Sequence, residues 1–247
     1  MTPETVLAVV AGAAAGGLIN GLAGFGTALF ALGFFLNVMP PVQAVAVVVV
    51  LSALTGLQGL WLVRHAIGAH TRRLARFLFP GILGIPLGVL VLSVLDARSL
   101  KLVIAGFLIL YGGYFSLRTH LPRFERPTPI CDMLVGLSGG ILGGAASLSG
   151  ALPMMWCALR PWPKAETRAV LQPFNVTVLA LTAAALALKG AYTRETLLYI
   201  ALALPVSVLF AQAGIAIFRR LPDAAFRRLL IAMTFISGAV LLARELI

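Results

Sequence analysis

The side chains of this chain that could hold a ligand are uncharged. Asn20, Thr27, Ser52, Thr55, Gln58, Ser138, Ser147, Ser149, Gln172, Asn175, Thr177 and Gln212 all stand within long apolar stretches, several of them beside glycines. Amides, hydroxyls and the unpaired N–H groups of broken helix ends supply donors and a partial positive charge. Such a set suits a small anion, without the cost of an intramembrane Lys or Arg. The candidate substrate-binding residues are Asn20, Gly21, Gly24, Gly26, Thr27, Ser52, Ser147, Ser149, Gly150, Gln172 and Asn175, with Asn20, Ser147, Ser149 and Asn175 foremost. Serine and threonine have a second reading, because they often bond back to carbonyls of their own helix.

Ionisable groups are scarce in the same stretches. Asp132 opens one of them, Glu4 lies at the outer edge of another, and no His, Lys or Arg is expected deep inside any. His65, His70 and His120 fall among basic residues and read as solvated. An enzyme would show a nucleophile with its base, or a ligand cluster. Neither is visible, so no catalytic residue, metal site or cofactor is expected. Cys131 and Cys157 match neither a metal-ligand spacing nor a disulfide scaffold. Asn175-Val-Thr177 has the form of a glycosylation sequon but lies inside apolar sequence.

Composition decides the solvent. The 247 residues are 60% hydrophobic and 11% charged, with a mean hydropathy of +1.02. A soluble domain carries about a quarter of its residues as charges, so lipid must surround this chain. Lys and Arg number 19 against 8 Asp and Glu, but they fall between apolar blocks rather than in a patch with interleaved aromatics. That placement fits membrane orientation signals and sets nucleic acid aside. The N-terminus has no Lys or Arg before its apolar run, so this segment is expected to be retained rather than cleaved. The expected partners are the bilayer and a small anion, with assembly into a homo-oligomer left open.

The expected fold is an all-α polytopic membrane protein built from two repeats. The first, 1–117, comprises a broken hairpin over 5–39 and helices over 42–63, 74–95 and 100–117. A basic linker, 118–129, leads to the second, 130–247, with a broken hairpin over 130–159 and helices over 167–188, 196–218 and 226–243. Each hairpin contains a glycine-rich stretch, and Gly12, Gly16 and Gly26 recur 124 positions later as Gly136, Gly140 and Gly150. Gly12-x-x-x-Gly16 and Gly136-x-x-x-Gly140 also fit close helix packing alone. Glycine costs about 1 kcal/mol against alanine inside a helix, which favours breaks where the later glycines cluster with Asn20, Thr27, Ser147 and Ser149.

Charge selects between straight and broken helices. If all eight blocks cross once, the basic residues divide 10 to 9 between the two sides. If the two glycine-rich blocks enter and return on one side, the division is 14 to 5, as the positive-inside rule requires. The halves then run in opposite senses with both termini outside the cytoplasm, the inverted-repeat plan whose sites lie at broken helices.

Ile19-Asn-Gly-Leu-Ala-Gly-Phe-Gly-Thr-Ala-Leu29, Pro41-Val-Gln-Ala-Val-Ala46 and Gly144-Ala-Ala-Ser-Leu-Ser-Gly-Ala-Leu-Pro153 resemble the repeated signature of the sulfite exporter TauE/SafE family. That family is also described as 4-toluene sulfonate uptake permeases. Two departures stand out: no proline follows the first motif, and Ser147-Leu-Ser149 stands where glycines are common. The resemblance covers essentially the whole chain. It implies an inner-membrane exporter or permease for sulfite, sulfonates or related organic anions; the residues themselves reach a small-anion carrier but not sulfur. An anion-selective channel could use the same glycine backbone as a filter, and a membrane-embedded enzyme or assembly factor is a lesser alternative.

Overall fold

The computed structural model describes residues 2–94 and 127–222 throughout, with scattered positions within 98–125 and 225–243. The helices expected over 100–117 and 226–243, and the linker 118–129, fall mostly outside the described residues. Those residues form eight α-helices and no strand: α1 (Pro3–Ala23), α2 (Thr27–Phe35), α3 (Pro41–Ile67), α4 (Thr71–Val94), α5 (Pro129–Ala146), α6 (Ala151–Ala158), α7 (Lys164–Leu188) and α8 (Arg194–Arg220). Five helical runs are long and apolar enough to cross a membrane: Pro3–Ala23, Pro41–Val94, Pro129–Ala146, Lys164–Leu188 and Arg194–Arg220.

Local chemistry sets the ends. Pro3 occupies the first turn of α1 behind the Thr2 cap, and Thr193 caps α8 by accepting the Thr196 N–H. Pro40 and Pro163 precede α3 and α7 with nearly the same backbone, φ −60°, ψ 154° and φ −58°, ψ 154°. Two helix boundaries differ from expectation. The segment 64–73, expected to connect the helices over 42–63 and 74–95, is itself helical, with only a 3-10 turn at Gly68–His70 between α3 and α4. And α7 begins at Lys164 rather than at 167, because Pro163 fixes an extended cap that starts the helix at once.

Both glycine-rich stretches break. α1 ends at Gly24 (φ 83°) and α2 starts after Gly26 (φ 99°). α5 ends at Ser147, also left-handed at φ 58°, with its N–H on the Gly143 carbonyl and the Leu148 N–H on that of Leu142. Each short helix then folds back along the long one. Gly12 and Gly16 of α1 face Phe35 and Thr27 of α2, and Gly139 of α5 faces Ser149 and Pro153.

Helix directions follow from the contacts. α1 runs parallel to α8, with Gly17 against Ser207, Gly21 against Ala211, and the Ser207 hydroxyl donating to the Ala13 carbonyl at 2.9 Å. α5 runs parallel to α4, with Gly136, Gly140 and Gly144 against Phe77, Gly81 and Ile85. α3 lies antiparallel to α7: Gly59 meets Gln172, Gly56 meets Val176, and the Tyr192 hydroxyl beyond α7 reaches the Ala46 carbonyl. α4 runs with α7, since Arg73 bonds Glu166 and Gly81 meets Phe174. The chain therefore reverses at the 3-10 turn, and Pro41–Val94 is two spans.

The hairpins correspond at an offset of 123, not at the 124 that pairs three of their glycines. Gly17 and Gly21 stand to α8 as Gly140 and Gly144 stand to α4, and the left-handed ends are Gly24 and Ser147. Gly12 faces α2 within its hairpin, whereas Gly136 faces α4, so the pair at 124 does not share a role.

A side chain at Gly140 would overlap the Gly81 carbonyl, while Gly68 has open space around it and ordinary helical angles. Gly140→Leu should therefore cost at least about 3 kcal/mol by overpacking. Gly68→Ala should be neutral or stabilise by roughly 0.5–1 kcal/mol. Thermal unfolding in detergent checks both, and equal melting of Gly140→Leu and wild type would contradict the close approach of α4 and α5.

Candidate functional site

α7 carries Arg168, Gln172 and Asn175 at i, i+4 and i+7, on one helical face. That face meets the end of α1, the two breaks and the middle of α3.

Arg168 is only 2% exposed. Its Nη2 donates to the Gly21 carbonyl at 2.8 Å, Nη1 to that of Leu22 at 3.4 Å, and Nε to Gln172 Oε1 at 3.3 Å. Its guanidinium also lies over the Phe218 ring, 4.2 Å from the centroid. Gly21 and Leu22 belong to the last turn of α1, where carbonyls lack partners within the helix and the dipole is negative. The arginine thus caps α1. Among the described residues, no carboxylate lies within ion-pairing distance of it.

One turn on, Gln172 Nε2 donates to the Gly56 carbonyl of α3 at 2.9 Å, and a side chain at Gly24 would run into Gln172 Oε1. Asn175 then joins the two breaks. Its Nδ2 donates to the Gly24 carbonyl at 3.3 Å, and its Oδ1 accepts the Ser149 hydroxyl. The breaks also touch directly, because Phe25 packs on the bare face of Gly150. The first turns of α2 and α6 start beside this contact and bring the partial positive charge of two helix N-termini.

A second small cluster adjoins through α1. Asn20 Nδ2 donates to the Ser52 carbonyl at 3.1 Å and to Thr55 Oγ1 at 2.6 Å, while the Asn20 carbonyl accepts the Gly24 N–H at 2.7 Å. Asn20 Oδ1, Thr27 Oγ1, Ser52 Oγ and Ser147 Oγ are buried without a protein partner. Buried polar atoms of that kind are few in native structures, and here four belong to candidate residues.

Of the residues singled out in sequence, Gly21, Gly24, Ser149, Gln172 and Asn175 enter one bonded network, and Asn20 and Ser52 adjoin it. Gly26 supplies the second left-handed turn and Gly150 the seat for Phe25. Thr27 starts α2 with its methyl against Gly16, and Ser147 ends α5; neither makes a side-chain hydrogen bond to the network. Ser138 bonds back to the Leu134 carbonyl, and Gln58 and Gln212 line a separate groove between α3 and α8. Arg168, at the edge of the expected helix 167–188 and not among the candidates, is a buried basic group. The signal was present, since stepping back one helical turn from Gln172 reaches it, but a block starting at 167 left it at the edge. Among the described residues, no three His, Cys, Asp or Glu side chains gather as a metal site needs.

The family model described as Sulfite exporter TauE/SafE matches residues 8–241, nearly the whole chain. The chain belongs to that family of membrane transporters, and with its apolar helices it is a multi-pass membrane protein. No curated protein and no solved structure matches it.

If Asn175 couples the breaks through Ser149, Asn175→Ala and Ser149→Ala should not add. A double-mutant cycle on unfolding in mixed micelles is expected to give an interaction energy of about 1–3 kcal/mol. Additive losses would remove that bond from the network.

Proposed function

We propose that this member of the sulfite exporter TauE/SafE family moves a small anion, namely sulfite, a sulfonate or a related organic anion, across the inner membrane by alternating access. The observation that carries the proposal is the burial of Arg168 against helix-end carbonyls with, among the described residues, no carboxylate beside it. A buried cation without a counter-charge is expensive. An anion arriving at Gly21–Gly24 would supply that counter-charge and take up the donors Arg168 now spends on the α1 carbonyls. Loss of the cap would loosen the end of α1, and the Asn175 bridge would pass the change from one hairpin to the other. Every candidate side chain is at most 4% exposed, which favours a carrier that encloses its substrate over an open filter.

Alternating access needs two comparable halves. We take these as inverted repeats over 1–117 and 130–247, joined by 118–129. Three observations support this division: α1, α3 and α8 run opposite to α5, α7 and α4; the hairpins correspond at 123 positions; and α1 meets α8 as α5 meets α4. Arg72, Arg73, Arg76, Arg160, Lys164, Arg219 and Arg220 gather at one end of the bundle, which we assign to the cytoplasm.

In proteoliposomes, Arg168→Gln should lower sulfite or sulfonate transport by about 100-fold or more, the loss of roughly 3 kcal/mol of charge-assisted binding. Arg168→Lys should retain part of it. A panel of sulfite, sulfonates, thiosulfate and small carboxylates, with counterflow against a gradient, names the substrate and separates carrier from channel. Full activity in Arg168→Gln would overturn the proposal. Cys131 is exposed at the basic end and Cys157 is buried. An impermeant thiol reagent should therefore label Cys131 from the cytoplasmic side only, and labelling from the opposite side would reverse the orientation.

A further inference from the structure

A cavity of about 420 Å³ opens at the basic end of the bundle, away from the network around Asn175. Arg72, Arg73, Arg76 and Arg160 line it, with Asp132 and Trp162. Four guanidinium groups around one cavity are far more positive charge than a packing role needs, so what balances them matters.

Part of the balance is internal. Glu166 bonds Arg73 and lies 3.7 Å from His70 Nδ1. Asp132, 5% exposed, accepts the Trp156 indole N–H at 2.6 Å and lies 3.5 Å from Arg160 Nη2. Arg76 reaches the other Asp132 oxygen only at 3.9 Å. Arg72 makes no ion pair among the described residues. Glu125 also lines the cavity and offsets part of the charge; Arg72, without an ion pair among the described residues, and the loosely held Arg76 are the groups that can meet a ligand. Guanidinium forks suit the oxygens of carboxylates, phosphates and sulfur oxyanions. Asp132 shows the same chemistry within the protein, its carboxylate facing Arg160 at 3.5 Å and Arg76 at 3.9 Å. Trp162, against which Arg73 stacks at 4.7 Å, adds an apolar surface for an organic substituent.

We propose that this cavity is a second anion site, a vestibule that collects a small oxyanion on Arg72 and Arg76 before it reaches Arg168. Its place in transport rests on the reading given above, but its binding chemistry does not. Glu166 and Arg168 lie two residues apart on the first turns of α7, a rise of about 3 Å. The two side chains point to different faces of α7, so the cavity and Arg168 share one end of the bundle on opposite sides of that helix. A cleft lined with one sign of charge raises the local concentration of its counter-ion.

Sulfite is the probe, with benzenesulfonate as a second ligand, on protein in nanodiscs and in proteoliposomes. Calorimetry is expected to count two sites in the wild type and one in Arg72→Gln/Arg76→Gln. The same variant should raise KM about 10-fold with kcat kept, for substrate offered on the arginine side. Arg72→Lys/Arg76→Lys should restore most of the affinity. If the double Gln variant is poorly folded, Arg72→Gln alone, at an exposed position, should still raise KM about 3-fold. Unchanged site count and KM would overturn the vestibule, as would a wild type that binds neither probe. Arg168→Gln separates the two proposals. If it transports normally while Arg72→Gln/Arg76→Gln still loses a site, the transport reading falls and the vestibule stands. If it is inactive while that variant is unaffected, the reverse holds.

Discussion

The open end of α1 and the guanidinium of Arg168 require each other. A helix that stops inside the protein leaves buried carbonyls without helical partners, and a buried arginine needs acceptors. Each would be costly alone. Placing the guanidinium on the Gly21 and Leu22 carbonyls supplies the hydrogen bonds that each lacks and leaves the charge itself without a counter-ion among the described residues. Much else follows from it. α7 must bring its first turns to the break, so Pro163 starts the helix early. α1 must end within reach, so Gly24 turns left-handed there. Gln172 and Asn175 then fall on the same face and meet α3 and the second break.

The class of the protein was legible because lipid imposes it. Too few charges and helix-length apolar blocks leave helices crossing a membrane as the outcome, and the family signature lies in the same glycine-rich segments that break. The bonded network was only partly legible. Asn175, Gln172, Ser149 and the glycines could be nominated by type, because a polar side chain in apolar sequence must find a partner. Which partner each finds depends on register between helices. That is why Ser138, of the same type, merely bonds to its own helix.

Arg168 escaped for a different physical reason. Counting charges by loop treats every Lys and Arg near a block edge as solvated, yet helix edges and membrane edges need not coincide. Here the helix starts three residues earlier and the break in α1 comes to meet it. The one-residue difference between the glycine offset and the structural offset has a similar origin. Glycine serves two purposes in these hairpins, close packing along the helix and a left-handed turn at its end. Pairing letters mixes the two.

Ser147 has a consequence of its own. At the matching point of the other hairpin stands Gly24, which passes between left- and right-handed backbone almost freely. A serine held at φ 58° does so at an expense of about 1–2 kcal/mol. The two hairpins therefore resemble springs of unequal stiffness. Under the proposed exchange of roles between the halves, unequal springs would make the two end states differ in energy, and one hydroxymethyl group would set which way the chain rests.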